Sequence, residues 1–277
     1  MSHAVSANPK HCKVFLLGTS ALISLALAAP VMAEDFVITG SNSSTNGTGI
    51  AADAINGGDT VNVTGTIDTG TTNNEGGIET TGSNTITVST DGIIKTGGTS
   101  AYGIYNLGNS NETTASGSIT TANTYAYGIY NQGASNTTSL SGSITTAGSA
   151  ALGIVNQGAS NTTTVSGSIE TTGADANGIY NQGASNTTTI SGTVKATGEK
   201  SAALYNNSGS GNSFTLNEGA TIIGDILARD GTTNSKLIFN LGASTSYAYS
   251  VSGKGAGTDA GQWTFSDQDG RTPVVST

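Results

Sequence analysis

The sequence is poor in charge, in basic residues, in histidine and in cysteine. Of 277 residues 10% are charged, with 9 lysines and arginines against 18 acids, and there are 2 histidines and 1 cysteine. No basic run occurs, which argues against a nucleic-acid partner, because phosphate contacts need clustered lysine or arginine. His3, His11 and Cys12 all lie near the N-terminus, so everything after Lys13 lacks both residue types. That excludes Ser-His-Asp and Cys-His nucleophiles from that part of the chain. It also excludes His- or Cys-ligated zinc, haem and iron–sulfur centres, and disulfides. No cofactor and no metal site is expected.

The N-terminal segment reads as an export signal. A polar lead with Lys10 and Lys13 precedes the apolar, uncharged run Val14 to Ala29, and Val31 and Ala33 occupy the small-residue positions before Glu34. The apolar run is short for a membrane span of ~20 residues. The pattern is that of a secretory leader, residues 1–33, cleaved before Glu34. Its removal takes both lysines with it, and the net charge moves from −9 to −11. A cysteine-free exported chain suits one that crosses a second membrane unfolded.

What is abundant is Gly, Ser, Thr and Asn, a composition that by itself suggests disorder. A strict period overrides that suggestion. Asn106, Asn131, Asn156, Asn181 and Asn206 follow one another at 25 residues, and "SGSI" recurs at Ser116, Ser141 and Ser166, then as "SGTV" from Ser191. Looser copies reach back to Gly47. A period of this length marks a solenoid. No apolar 3.6-residue pattern runs through the unit, so helical repeats are excluded.

Period two fits instead. In "TTTVSGSIE", Thr163, Val165, Gly167 and Ile169 share one face, and Thr162, Thr164, Ser166 and Ser168 the other. This reads as one half-buried strand over residues 162–170. "GIYN" supplies a second short strand with an apolar constant at Ile104, Ile129, Ile154, Ile179 and Leu204. Glycine-bearing pieces such as "NQGASN" supply corners. The fold class expected is all-β: a right-handed parallel β-helix of about seven coils of ~25 residues, stacked ~4.8 Å apart, with a C-terminal β cap. Residues 34–226 form the repeat domain. Residues 227–277, with Trp263 and Phe265 on one face, form final coils and cap.

The Asn row at 106, 131, 156, 181 and 206 is read as a structural ladder, each amide donating and accepting along the stack. A second row, Asn111, Asn136, Asn161 and Asn186, marks another corner. Its N-x-Thr texts match glycosylation acceptors, but Asn/Thr-rich text produces such matches freely.

An export signal, "YGIYNQG" and "SGSI" coils, the absence of cysteine, and the tail "GDILARDGTTNSKLIFNLG" followed by "GQWTFSDQDGRTPVV" together resemble the passenger region of a bacterial autotransporter of the type V pathway. That resemblance implies a right-handed β-helix passenger, a C-terminal outer-membrane barrel and surface display for adhesion. A barrel needs many alternating strands of ~10 residues with aromatic girdles. None follows here, so the expectation is an N-terminal part of a longer protein, with the outer membrane reached only through a barrel not present in this chain. The partner expected is a host-surface or glycan ligand.

Two other readings use the same residues. The Ser/Thr face has four rows, Glu112/Thr137/Thr162/Thr187, Thr114/Ser139/Thr164/Thr189, Ser116/Ser141/Ser166/Ser191 and Ser118/Ser143/Ser168/Thr193, and is a candidate binding face; as a hydroxyl lattice it resembles that of β-helical ice-binding proteins. A Tyr row, Tyr105, Tyr130, Tyr180 and Tyr205, interrupted by Val155, leaves two orientations open: outward against sugars, or inward. A polysaccharide-active enzyme would need paired carboxylates. Glu112, Glu170 and Asp175 do not recur between coils, and Lys95, Lys195 and Lys200 form no evident group with them; stacking could bring Glu170 and Glu199 within a few coils of each other, but no catalytic residue is assigned. Asp267, Asp269 and Gly270 make only part of a calcium loop.

Overall fold

The computed structural model describes residues 7–8, 11–16, 34–39, 41–43, 50, 55, 57–229, 232–240 and 263–267. These residues form a β-solenoid of about eight turns, close to the coil count read from the repeats, and no helix occurs among them. Three sheets wrap the rod, of 12, 8 and 7 strands. Every strand pair is parallel except Ala7–Asn8 against His11–Leu16.

One coil shows how the sequence is used. Thr162–Val165 lies in the first sheet, Ser168–Thr171 in the second and Ile179–Asn181 in the third. In the first of these the β-branched residues alternate, Thr162 and Thr164 exposed, Thr163 and Val165 buried. The single strand expected over residues 162–170 is in fact two strands on two sheets. The chain turns at Ser166–Gly167, and the alternation passes the corner in phase, so that Ile169 still points inward. Glycine is required at this corner: a Cβ at Gly167 would lie 2.0 Å from the carbonyl oxygen of Gly142 in the coil below.

Pairing is in register at one full coil. Val165 sits between Leu140 and Ile190, Ile169 between Ile144 and Val194, and Ile179 between Ile154 and Leu204. These three rows fill the rod and are almost completely buried. Each such side chain contributes ~1.5–3 kcal/mol by leaving water, so a coil with three of them adds to its neighbours' stability as it docks. Space is tight where the second and third sheets meet. A Cβ at Gly128 would approach Ile144 Cγ2 to 2.4 Å and the Gly153 carbonyl oxygen to 2.6 Å. Glycine at this position lets the isoleucine of the second sheet lie on bare backbone.

At the N-terminal end, His11–Leu16 lies parallel to Glu34–Ile38, extending the first sheet. Most of the segment read as an export signal, including Val31 and Ala33, lies outside the described residues. At the other end, Asp225–Ala228 closes the third sheet, while Ser235–Asn240 and Trp263–Asp267 continue the first. Asp269 and Gly270, and the rest of the tail, also lie outside the described residues.

Candidate functional site

The asparagines expected to stack do so inside the rod. Asn106 donates from Nδ2 to Asn131 Oδ1 at 2.8 Å, Asn131 to Asn156 at 2.9 Å and Asn156 to Asn181 at 2.9 Å. The second Nδ2 proton of each goes to a buried threonine of the same coil, Thr113, Thr138 or Thr163, at 3.1 Å. Thr80 begins the ladder, donating to Asn106 Oδ1 at 3.3 Å. At the far end the pattern changes. Asn206 accepts from Asn212 Nδ2 at 2.7 Å and donates to Ser235 Oγ at 2.5 Å. Asn181 Nδ2 and Thr188 Oγ1 are buried and have no partner among the described residues.

A second asparagine ladder is as complete, at the row that the sequence alone marks only as a corner. The backbone N–H of Asn111 donates to Asn136 Oδ1, that of Asn136 to Asn161, that of Asn161 to Asn186, all at 2.7–2.8 Å. Their Nδ2 groups donate to the carbonyls of Gly108, Gly133, Gly158 and Gly183. Every polar atom of these side chains is thus used to satisfy corner backbone, as burial requires. Buried amides engaged in this way are not glycan acceptors in the folded rod.

The candidate hydroxyl face is divided by the corner. Thr137, Thr162 and Thr187 stack in one row of the first sheet, and Thr114, Thr164 and Thr189 belong to its other row, with Ser139 between Thr114 and Thr164. Ser116, Ser141, Ser166 and Ser191 lie at the bend that follows, and Ser118, Ser143, Ser168 and Thr193 belong to the second sheet. The flat part is therefore two rows wide, not four. Ser213 extends the first row, which Glu112 separates from Thr85 and Thr60, and Thr87 and Thr215 extend the second. At the bend Ser141 Oγ donates to Ser116 Oγ at 2.9 Å. A shallow groove follows, lined by Asp91, Ser116, Ser118 and Ser143.

The acids lie apart. Glu170 pairs with Lys195 at 2.7 Å across one coil step of the second sheet, a partnership that repetition alone does not reveal. Glu199 sits at an exposed turn beside Lys200, at 3.9 Å. Groups of three or more His, Cys, Asp or Glu able to hold a metal do not occur among the described residues.

The tyrosines face outward on the third sheet. The register runs Glu79, Tyr105, Tyr130, Val155, Tyr180, Tyr205, Leu227. The rings of Tyr105 and Tyr130 stack at 4.9 Å, as do those of Tyr102 and Tyr127 at 5.1 Å, and the two pairs meet edge to face. Tyr180 and Tyr205 form a further edge contact at 5.5 Å. Between these groups Leu152 and Val155 are only 7% and 3% exposed, although neither belongs to the interior core. Tyr105 donates to Gln132 Oε1, and Tyr130 to Gln157 Oε1. Burial first, then the neighbouring phenol Tyr205, pushes Tyr180 up to about 12, and Tyr130 is raised further for the same kinds of reason.

A scan against protein-family models finds no match to this chain, and neither curated proteins nor solved structures provide one.

Proposed function

We propose that this chain is a non-enzymatic, exported β-solenoid, the passenger part of an autotransporter-like protein, which works by adhesion at the cell surface. One observation carries the reading. Repetition extends to the outside of the rod: hydroxyl rows on the first sheet and a tyrosine row on the third hold register over many coils. Stacking requires like residues inside, where ladders and core rows must match, but it makes no such demand of solvent-facing positions. A repeated outer surface suits a repeated or extended ligand. The apolar N-terminal run and the absence of cysteine after it support passage across membranes. Expression of the full chain in a Gram-negative host tests this. Processing before Glu34 and, with a translocator barrel fused downstream, accessibility to external protease are expected; an unprocessed cytoplasmic product would refute export.

The two flat threonine rows favour a second reading, an ice-binding face. Wild type and a Thr162→Tyr, Thr164→Tyr variant would then differ in thermal hysteresis, and equal values would remove that reading.

A further inference from the structure

The outer face of the third sheet has the chemistry of a saccharide platform. Its row is aromatic or aliphatic from Tyr105 to Leu227, with a carboxylate, Glu79, at the start. Six tyrosines contribute: Tyr102, Tyr105, Tyr127, Tyr130, Tyr180 and Tyr205. None of their rings is fully buried, and those that pair do so at 4.9–5.5 Å, close to one coil step. Rings so tied to each other lose little freedom on binding, because tyrosine offers a large rigid surface governed by two torsions. Beside the rings stands a second row, Gln132, Gln157 and Gln182, at least partly exposed. Gln132 and Gln157 receive phenol protons on Oε1, which orients their Nε2 groups as donors.

This combination selects among ligands. A polyanion would need a basic row, and the stripe has none between Tyr105 and Tyr205. A polycation would need acids, and Glu79 alone stands in the register. A lipid or an apolar protein surface would leave the amide row without partners. Pyranose rings offer what the stripe lacks: C–H faces to lie on aromatic rings, and hydroxyls for amides. The row also repeats at ~4.8 Å along the rod, in one direction, which suits a chain of sugars better than a single one.

We infer that the tyrosine stripe binds a neutral, extended polysaccharide laid along the rod axis, with Tyr105, Tyr130, Tyr180 and Tyr205 as aromatic contacts and Gln132 and Gln157 as hydroxyl partners. This rests on the reading of the rod as an adhesive surface and names its ligand class.

Affinity electrophoresis of the full chain through gels holding hydroxyethyl cellulose, galactomannan, xylan or dextran tests it. Retardation by at least one is expected. The Tyr105→Ala, Tyr130→Ala variant should bind about tenfold more weakly or worse. The corresponding Phe variant should keep most binding, and Thr162→Ala, Thr164→Ala should match wild type. Circular dichroism checks folding. If the Ala variant unfolds, Gln132→Ala, Gln157→Ala decides, with a several-fold loss expected and no loss overturning the assignment. Absence of retardation by all four polysaccharides also overturns it, as does binding lost only in the threonine variant. Sedimentation showing dimers of wild type that the tyrosine changes abolish would give the stripe to a second copy of the chain. Surface protease digestion of the same cells separates the two levels: a displayed chain that binds no polysaccharide sinks the ligand and leaves adhesion standing.

Discussion

Asn212 donates to Asn206 across a single turn at 2.7 Å, and the acceptor it occupies is the one the amide of Asn181 would otherwise use. The cause is one residue. Asn206 and Asn212 are six positions apart, whereas Asn181 and Asn186 are five apart. With the extra residue in "NSGSG", Asn212 keeps its place in the second ladder, accepting from the Asn186 N–H and donating to the Ser208 carbonyl, and also reaches Asn206, and the first ladder stops one coil early.

The first prediction follows from that interruption. Asn131→Ala removes a donor and an acceptor between two intact rungs and should cost on the order of 2–3 kcal/mol. Asn181→Ala removes a side chain whose own amide donates to nothing described, and should cost about 1 kcal/mol less. Urea midpoints of the two variants measure the difference. Equal losses would mean the ladder bonds do not set local stability.

Coil deletion tests the register. Removing Asn156 to Tyr180 joins Val155 to Asn181 and keeps every row aligned. The rod should shorten by ~4.8 Å and stay folded. Removing residues 156–168 instead should misplace each ladder beyond the cut. Circular dichroism and small-angle scattering distinguish them, and two equally folded products would contradict the in-register stack.

Gly128 is the third test. Alanine there meets both the Ile144 side chain and the Gly153 carbonyl oxygen. Overpacking of this kind costs ~1–3 kcal/mol. Adding Ile144→Val should recover only part of it, because the backbone carbonyl remains. Full recovery in thermal melts would show that the isoleucine contact alone makes glycine necessary.

Alkaline pH should weaken the outer tyrosine cluster. Burial raises Tyr180 from 10.0 to about 12 in the folded rod. A raised value means the folded state holds the proton more tightly. Its contribution is fully present below pH 10 and is lost as pH rises towards 12. Urea midpoints should fall across that window, and Tyr180→Phe should flatten the fall. An identical pH profile in the variant would place the alkaline transition elsewhere.

Much of the fold could be read from spacing, because a stack of coils writes its own period into the chain. The inward Ile and Val rows and the Asn ladder followed from that period and from alternation. The corner at Ser166–Gly167 did not, since the alternation continues through it unbroken and only the approach of Gly142 reveals the bend. The tyrosines could not be placed because Ile104–Asn106 is too short for a phase to be secure, and Tyr102 precedes Tyr105 by an odd step of three. The Glu170–Lys195 pair was hidden for another reason: neither residue recurs, so a search for repeats passes over both, although they are 25 residues apart.

The in-register stack also bears on how such a gene changes. Recombination between neighbouring copies adds or removes whole units in frame, and each product inherits matching ladders, core rows and outer stripes. Rod length can therefore drift between lineages by single coils without passing through an unfolded intermediate form. A misaligned exchange, by contrast, is eliminated at the first corner it breaks. Length, for this protein, is a trait that selection can tune separately from fold.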